Sequence, residues 1–197
     1  MILFLDTETT GLLPKRTNSI SDYLRDSPRA LQLSFLVYSN NGKKIIEADC
    51  FQKIGTEIVI GQGAFEVHGL DHRYLEAMGI EADEMLTMFC ANLYQCNTIA
   101  GHNIPFDIEV VACELFRHGF SAAAEYLKNM DQVCTMKAGR DYCQIPGSKV
   151  KANKLPSLSE LYKFCFGSEL EGSHNSLNDI KATAACYQKM LTDGIIF

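Results

Sequence analysis

Apolar and polar positions alternate in blocks along this chain, and the blocks predict its elements. Residues 2–6, 31–39 (LQLSFLVYS) and 43–51 (KKIIEADCF) are short apolar runs that read as strands. The last two are joined by Asn40, Asn41 and Gly42, and Asn-Gly is the strongest local hairpin signal in the sequence. Between the first two, from Gly11 to Arg29, the chain becomes polar and carries Pro14 and Pro28, as a partly looped excursion would. Helical spacing returns over 71–95, broken by a turn at Met78-Gly79-Ile80, with Met85, Phe89 and Leu93 on one face. A strand at 97–100 is followed by GHNIPFD and by a helix carrying Ile108, Val111, Ala112 and Leu115, which Gly119 ends. Residues 131–136 read as a short strand and 139–154 as irregular chain. Helices at 157–166, started by Pro156 and Ser157, and at 177–192 complete the pattern.

A hairpin first and strand–helix alternation later predict an α/β fold with a mixed central sheet flanked by helices. No repeat or linker divides the chain, so residues 1–197 are expected to form a single domain. A hydrophobic content of 47% argues against disorder.

Charge and thiols narrow the setting. With 18 Lys and Arg against 24 Asp and Glu, the formal net charge is -6, which excludes binding of nucleic acid by bulk positive charge. Any such contact has to be local or assisted by cations. The eight cysteines contain no CxxC pair, so zinc-finger spacing is absent. With no signal-type N-terminus and no apolar run long enough for a bilayer, a reducing cytoplasm and no membrane are expected.

The first strand then does something unusual. LFLDTETTGL, residues 3–12, sets Asp6 and Glu8 at alternate positions, so both side chains share one face, roughly 6–7 Å apart along the strand. Taken alone, a D-x-E is most often the polar end of a strand. Two more acidic sites change this reading: Asp107 near the start of a helix in GHNIPFD, and Asp179 on the first turns of the last helix in SHNSLNDIKA, five residues after His174. Like charges gathered at one sheet edge oppose each other unless a cation lies between them, and all-oxygen ligands suit Mg2+ or Mn2+ rather than zinc.

The segments FLDTETTG, HNIPFD and HNSLND resemble the motifs of the DEDD exonucleases of the DnaQ-like, ribonuclease H-like superfamily, in the subgroup with a catalytic histidine. The resemblance runs from residue 2 to about 190. It implies that Asp6, Glu8, Asp107 and Asp179 organise two divalent ions, Asp6 shared between them and Asp107 acting partly through water. It also implies that His174 takes the proton from the attacking water. Thr9, Thr10 and Gly11 would be the turn that meets the terminal nucleotide, and Leu12 the apolar wedge beside its base. FEVHGLD, residues 65–71, would line the sugar and base pocket through His68. Phe106 could stack on a base, and His102 and Asn103 shape the loop first and touch substrate second; His72 reads as surface.

Lys15, Arg16, Arg25 and Arg29 in the excursion, and Lys137, Arg140, Lys149, Lys151 and Lys154 later, could track single-stranded phosphates if they border the cleft. Ser176 stands where alanine is common in the family, a change expected to leave the metal site intact. The expected function is 3'-5' exonuclease action on a nucleic acid 3' end, single-stranded DNA favoured, in a free-standing nuclease domain or a proofreading or repair subunit with a polymerase or other partner. The rival readings are an exoribonuclease or oligoribonucleotide-trimming enzyme, a non-catalytic nucleic-acid-binding or scaffold protein that keeps the fold, and a phosphatase acting on small esters. The sequence leaves the oligomeric state open.

Overall fold

The structure, a computed structural model, describes residues 1–15, 19–147 and 153–196. Arg16, Lys149 and Lys151 lie outside the described residues. The elements are β1 Ile2–Thr9, α1 Ile20–Asp26, β2 Ala30–Tyr38, β3 Lys44–Phe51, α2 Gln62–His68, α3 His72–Met78, α4 Ala82–Leu93, β4 Thr98–Gly101, α5 Ile104–Arg117, α6 Ser121–Lys128, β5 Asp131–Cys134, α7 Thr135–Cys143, α8 Leu158–Phe166 and α9 Ser176–Thr192. Among the described residues no helix is long and apolar enough to cross a membrane.

The five strands form one mixed sheet in the order β3-β2-β1-β4-β5. The two joins among β1, β2 and β3 are antiparallel, and β4 and β5 extend the sheet in parallel with β1. At the predicted hairpin, Gly42 takes φ 79° and donates its N–H to Ser39 O at 2.9 Å, the left-handed geometry for which the Asn-Gly signal stands.

Alternation on β1 sends side chains to two separate cores. Leu3 and Leu5 pack with Phe89, Leu93, Ile108, Val111 and Leu115 beneath α4, α5 and α6. Phe4 points the other way, into a core with Leu161, Ile180, Ala184, Tyr187 and Met190 from α8 and α9. There it meets Tyr187 edge-on with ring centroids 5.1 Å apart, which seats α9 over β1. Each such large side chain stabilises the fold by about 1.5–3 kcal/mol. Gly101 lets α5 start close to the sheet, because a Cβ there would lie 2.8 Å from both Leu5 O and Ile104 Cδ1.

Four helices depart from the sequence expectation. The polar excursion contains α1, and neither α1 nor α2 buries a single residue, so no apolar stripe marks them in the sequence. The third is α6, a short helix whose buried face is Ala123, Ala124 and Leu127. The strand expected at 131–136 stops at Cys134 and gives way to α7, which occupies the start of the supposedly irregular stretch. The buried positions of α7 are Thr135, Gly139 and Cys143, four residues apart and small. Gly139 has to be small, since a Cβ would sit 2.9 Å from Pro156 Cγ. The two helices read over 71–95 occur as α3 and α4, started by Asp71 and Glu81 on either side of Gly79.

Candidate metal centre and nucleotide cleft

At the carboxyl end of β1 the alternation continues past the cores. Asp6 and Glu8 fall on the face that Phe4 occupies, and α9 reaches the same face carrying Asp179. Carboxylate oxygens of Asp6, Glu8 and Asp179 all lie within 4.8 Å of one another. The β1–β2 register shifts between Glu8 and Thr9, so the ladder ends where the acids gather.

The first turn of α9 is held in place by three contacts, one of them from Ser176 N to Gln32 Oε1 at 3.4 Å. Ser176, fully buried, donates its hydroxyl to Asp6 O at 2.7 Å, and Asn175 caps the helix by accepting from Asn178 N at 3.3 Å. The serine thus pins α9 to β1 at the residue the metal reading needs most, a contact that alanine could not make.

Asp107 approaches from the opposite face of the strand. Buried in the first turn of α5, it accepts from Thr7 N at 3.0 Å and Thr7 Oγ1 at 2.8 Å. Thr7 points to the side that Leu3 and Leu5 use, so one strand positions acids on both of its faces. The sequence reading passed over Thr7, although its odd position between Asp6 and Glu8 carried the signal.

The electrostatics show what the cluster lacks. Burial, and then the neighbouring charges of Asp107, Asp179 and Glu8, push the Asp6 carboxyl well above its ordinary range. Burial followed by Asp179 raises Glu8 from 4.5 to about 7. Burial lifts Asp107 to about 7 against the opposing Thr7 hydrogen bonds, and Asp179 is raised by burial too. Asp179 Oδ1 is buried with no hydrogen-bond partner among the described residues. Four carboxyls held together against their repulsion, one with an orphaned oxygen and none accompanied by Cys, fit a hard divalent cation such as Mg2+ or Mn2+.

His174 sits beside this group on the loop before α9. It is exposed, adopts φ 67°, and donates its backbone N–H to Asp179 Oδ2 at 2.9 Å. Its ring lies close enough to lower the Asp179 pKa, and it supplies no atom to the carboxylate cluster. Asn178 Nδ2 braces the loop by donating to Gly172 O at 3.1 Å.

A cleft of about 580 Å³ opens next to Glu8, walled by Thr7, Thr9, Gly11, Leu12, Gly61, Gly63, Ala64, Val67, His68 and Phe106. Its wall on α2 joins Gly63 and Ala64, which no sequence signal singled out, to Val67 and His68 of the FEVHGLD segment. Leu70 N donates to His68 Nδ1 at 3.0 Å, so the ring carries its proton on Nε2 and donates to Thr9 O at 3.1 Å. Both nitrogens of His68 are therefore used within the protein, and only the ring face is open to a ligand.

The threonine turn is similarly occupied. Thr9 Oγ1 donates to Gly11 O at 2.7 Å, and Thr10 Oγ1 accepts from Arg29 N at 2.9 Å. Gly11 is different: a Cβ placed there would meet nothing within 4 Å, so its surface faces open space. Leu12 is 86% exposed at the cleft mouth.

Asn103, at φ 70° before α5, accepts at its carbonyl from Phe106 N at 2.9 Å and is not among the cleft walls. His102 is half-buried, and that burial pushes its pKa down to about 4. Its nitrogens lie 3.1 Å from Thr135 Oγ1 and from Pro156 O, which ties β4 to the approach to α8. His72 is more than a surface residue. It is half-buried, with Nε2 2.9 Å from Ile58 O.

The basic stretches are neutralised in part among the described residues. Arg25 pairs with Asp22 and Asp26, Arg29 with buried Glu114, and Lys154 with Glu160, while Lys15, Lys137 and Arg140 are exposed. In the excursion, Arg25 is paired within α1 and Arg29 with a carboxylate of α5.

Comparison with known proteins agrees with this geometry. The crystal structure of E. coli exonuclease I in complex with a dT13 oligonucleotide is similar at a TM-score of 0.75 and 19% identity, over 97% of this chain and 40% of that one. Exonuclease I from Methylocaldum szegediense gives 0.72 and 19% over the same shares. A product-bound exonuclease I gives 0.73 and 18%, over 97% and 43%. The chain thus spans about two fifths of the length of these structures, and at such identity they show the fold, ribonuclease H-like α/β. No curated protein sequence matches. The exonuclease model RNase_T matches residues 3–187, so with its acids converging at one sheet edge the chain belongs to that exonuclease family, within the DnaQ-like, ribonuclease H-like superfamily.

Proposed function

We propose that the protein is a 3'-5' exonuclease that uses two divalent cations, Mg2+ or Mn2+, to release 5'-mononucleotides one at a time from an unpaired DNA 3' end. The observation that carries this reading is the meeting of Asp6, Glu8 and Asp179 within 4.8 Å, beside buried Asp107 and at the edge of a nucleotide-sized cleft. Asp6, Glu8, Asp107 and Asp179 would hold the cations, whose bound charge activates water and stabilises the leaving 3'-oxygen. Each protein group then has one task. The carboxylates would hold the cations in their ionised form, His174 would accept a proton from the attacking water, and the exposed loop that carries it leaves its ring free to pass that proton to solvent. Phe106, Val67 and the face of His68 receive the terminal base through apolar contact, which distinguishes no base.

The likeness to an exonuclease I holding a dT13 strand supports DNA as the substrate. The test is incubation with 5'-labelled DNA and RNA strands of matched sequence, with and without a blocked 3' end, in Mg2+. A ladder shortening from the free 3' end of DNA, with nucleoside 5'-monophosphates as products, is the expected result. Faster loss of the RNA strand would move the assignment to an exoribonuclease, and hydrolysis of small phosphate esters alone would refute exonuclease action.

A further inference from the structure

The face of the sheet under α9 changes character toward the acids. Cross-strand partners share a face, and on this side of β1 and β2 the pairs run Phe4 with Leu36, Asp6 with Ser34 and Glu8 with Gln32. Phe4 and Leu36 belong to the core, whereas Ser34 and Gln32 are polar and just as buried, at 0% and 1% exposure. Buried polar groups cost stability unless they are bonded, so each of these needs a partner.

Their partners form a chain that crosses the sheet. Asp49, opposite Ser34 on the edge strand β3, accepts at Oδ1 from Gln32 Nε2 at 2.7 Å and from Ser34 Oγ at 2.6 Å. The other end of the Gln32 amide, Oε1, accepts from Ser176 N at 3.4 Å, and Ser176 Oγ in turn donates to Asp6 O. The amide has one orientation, because a carboxylate accepts and a backbone N–H only donates.

Ser176 opens α9, and its N–H is one of the first four of the helix, which find no partner inside it. Gln32 supplies that partner. Asp179 follows three residues later, so the contact that holds this turn also fixes where its carboxylate stands against Asp6 and Glu8.

We infer that Gln32 is a positioning residue of the metal centre, aimed at α9 by Asp49, which lies exposed on β3 and supplies no atom to the carboxylate cluster. The inference rests on the reading of that cluster as a cation site. Both residues act through Ser176, and loosening it lets Asp179 leave the ligand set.

The test is calorimetric titration of Mn2+ into the wild-type protein and its variants, alongside melts in EDTA. Gln32→Met, of similar length but without the amide, is expected to weaken Mn2+ binding by about 10–100-fold, and Asp49→Ala by about 5–20-fold. Asp49→Asn, which keeps the acceptor oxygen and loses the charge, stays within about twofold of wild type. The double variant Gln32→Met, Asp49→Ala binds Mn2+ as Gln32→Met does, since Asp49 acts through Gln32. A structural role alone would lower Tm and leave Mn2+ affinity unchanged, and that result would overturn the inference. So would losses that multiply in the double variant, or wild-type protein that binds no Mn2+. Asp49 is exposed, so its two variants decide the matter by themselves if Gln32→Met does not fold. If Mn2+ binding weakens as expected and the wild-type protein leaves a DNA 3' end intact in Mg2+, the exonuclease reading fails and the positioning role stands.

Discussion

Replacing Glu8 by glutamine should make the metal-free protein more stable at alkaline pH, although it removes an expected metal ligand. The Glu8 carboxyl titrates at about 7 in the fold against 4.5 when unperturbed, raised first by burial and then by Asp179. Between those values the native state holds a proton that the unfolded chain has released. The stability this contributes is complete below about pH 4.5 and is lost as pH rises through about 7. At pH 8 the folded protein therefore carries a penalty of up to ~3 kcal/mol at this position. Glutamine has no proton to lose, so the variant escapes that penalty. For a chain of this length the gain corresponds to a rise in Tm of roughly 5–10 °C. The assay is thermal unfolding by circular dichroism in EDTA at about pH 4, 6 and 8, repeated with excess Mn2+. The offset should be near zero at pH 4, grow toward pH 8, and shrink or reverse in Mn2+, because a cation that binds only the folded state stabilises the intact cluster more. An offset independent of pH, or a variant less stable than wild type at pH 8 in EDTA, would refute the electrostatic account of the cluster.

His174→Asn, chosen because asparagine tolerates the left-handed backbone found there, should cut turnover by about 10^2–10^4-fold and leave Mn2+ stabilisation intact; loss of the Mn2+ effect would make His174 a ligand rather than a base. Ser176→Ala leaves Asp6 O without its 2.7 Å donor and should lower stability by about 1–2 kcal/mol and weaken Mn2+ binding, both readable from melts with a Mn2+ titration. Gly11→Ala meets open space and should change Tm by no more than a degree or two while raising KM on oligonucleotides several-fold; an unchanged KM would mean that no nucleotide approaches that backbone.

The candidate site was legible in outline because its ingredients are local. A D-x-E at the end of an apolar strand states that two carboxylates share a face, and the sequence places Asp107 and Asp179 at helix starts, where the structure has them. Local pattern could not say how the acids divide. Asp107 is positioned through Thr7 on the face opposite Asp6 and Glu8, and Ser176, which looked like a neutral small residue, pins α9 to Asp6. Nor could it show that His68 and Thr10 spend their polar atoms inside the protein, since Thr9 lies 59 residues from His68 and Arg29 lies 19 from Thr10.

Sequence alone determined the strands of the β-hairpin, the helices with an apolar stripe, the acidic residues and their spacing, because periodicity and turn chemistry act over a few residues. Tertiary structure decided the rest. The helices α1 and α2, with no buried residue, are visible only through what they wall off. Arg29 is paired with Glu114, 85 residues away on α5, and the repulsion that calls for a cation arises only when strand and helix ends from across the chain meet in one buried place.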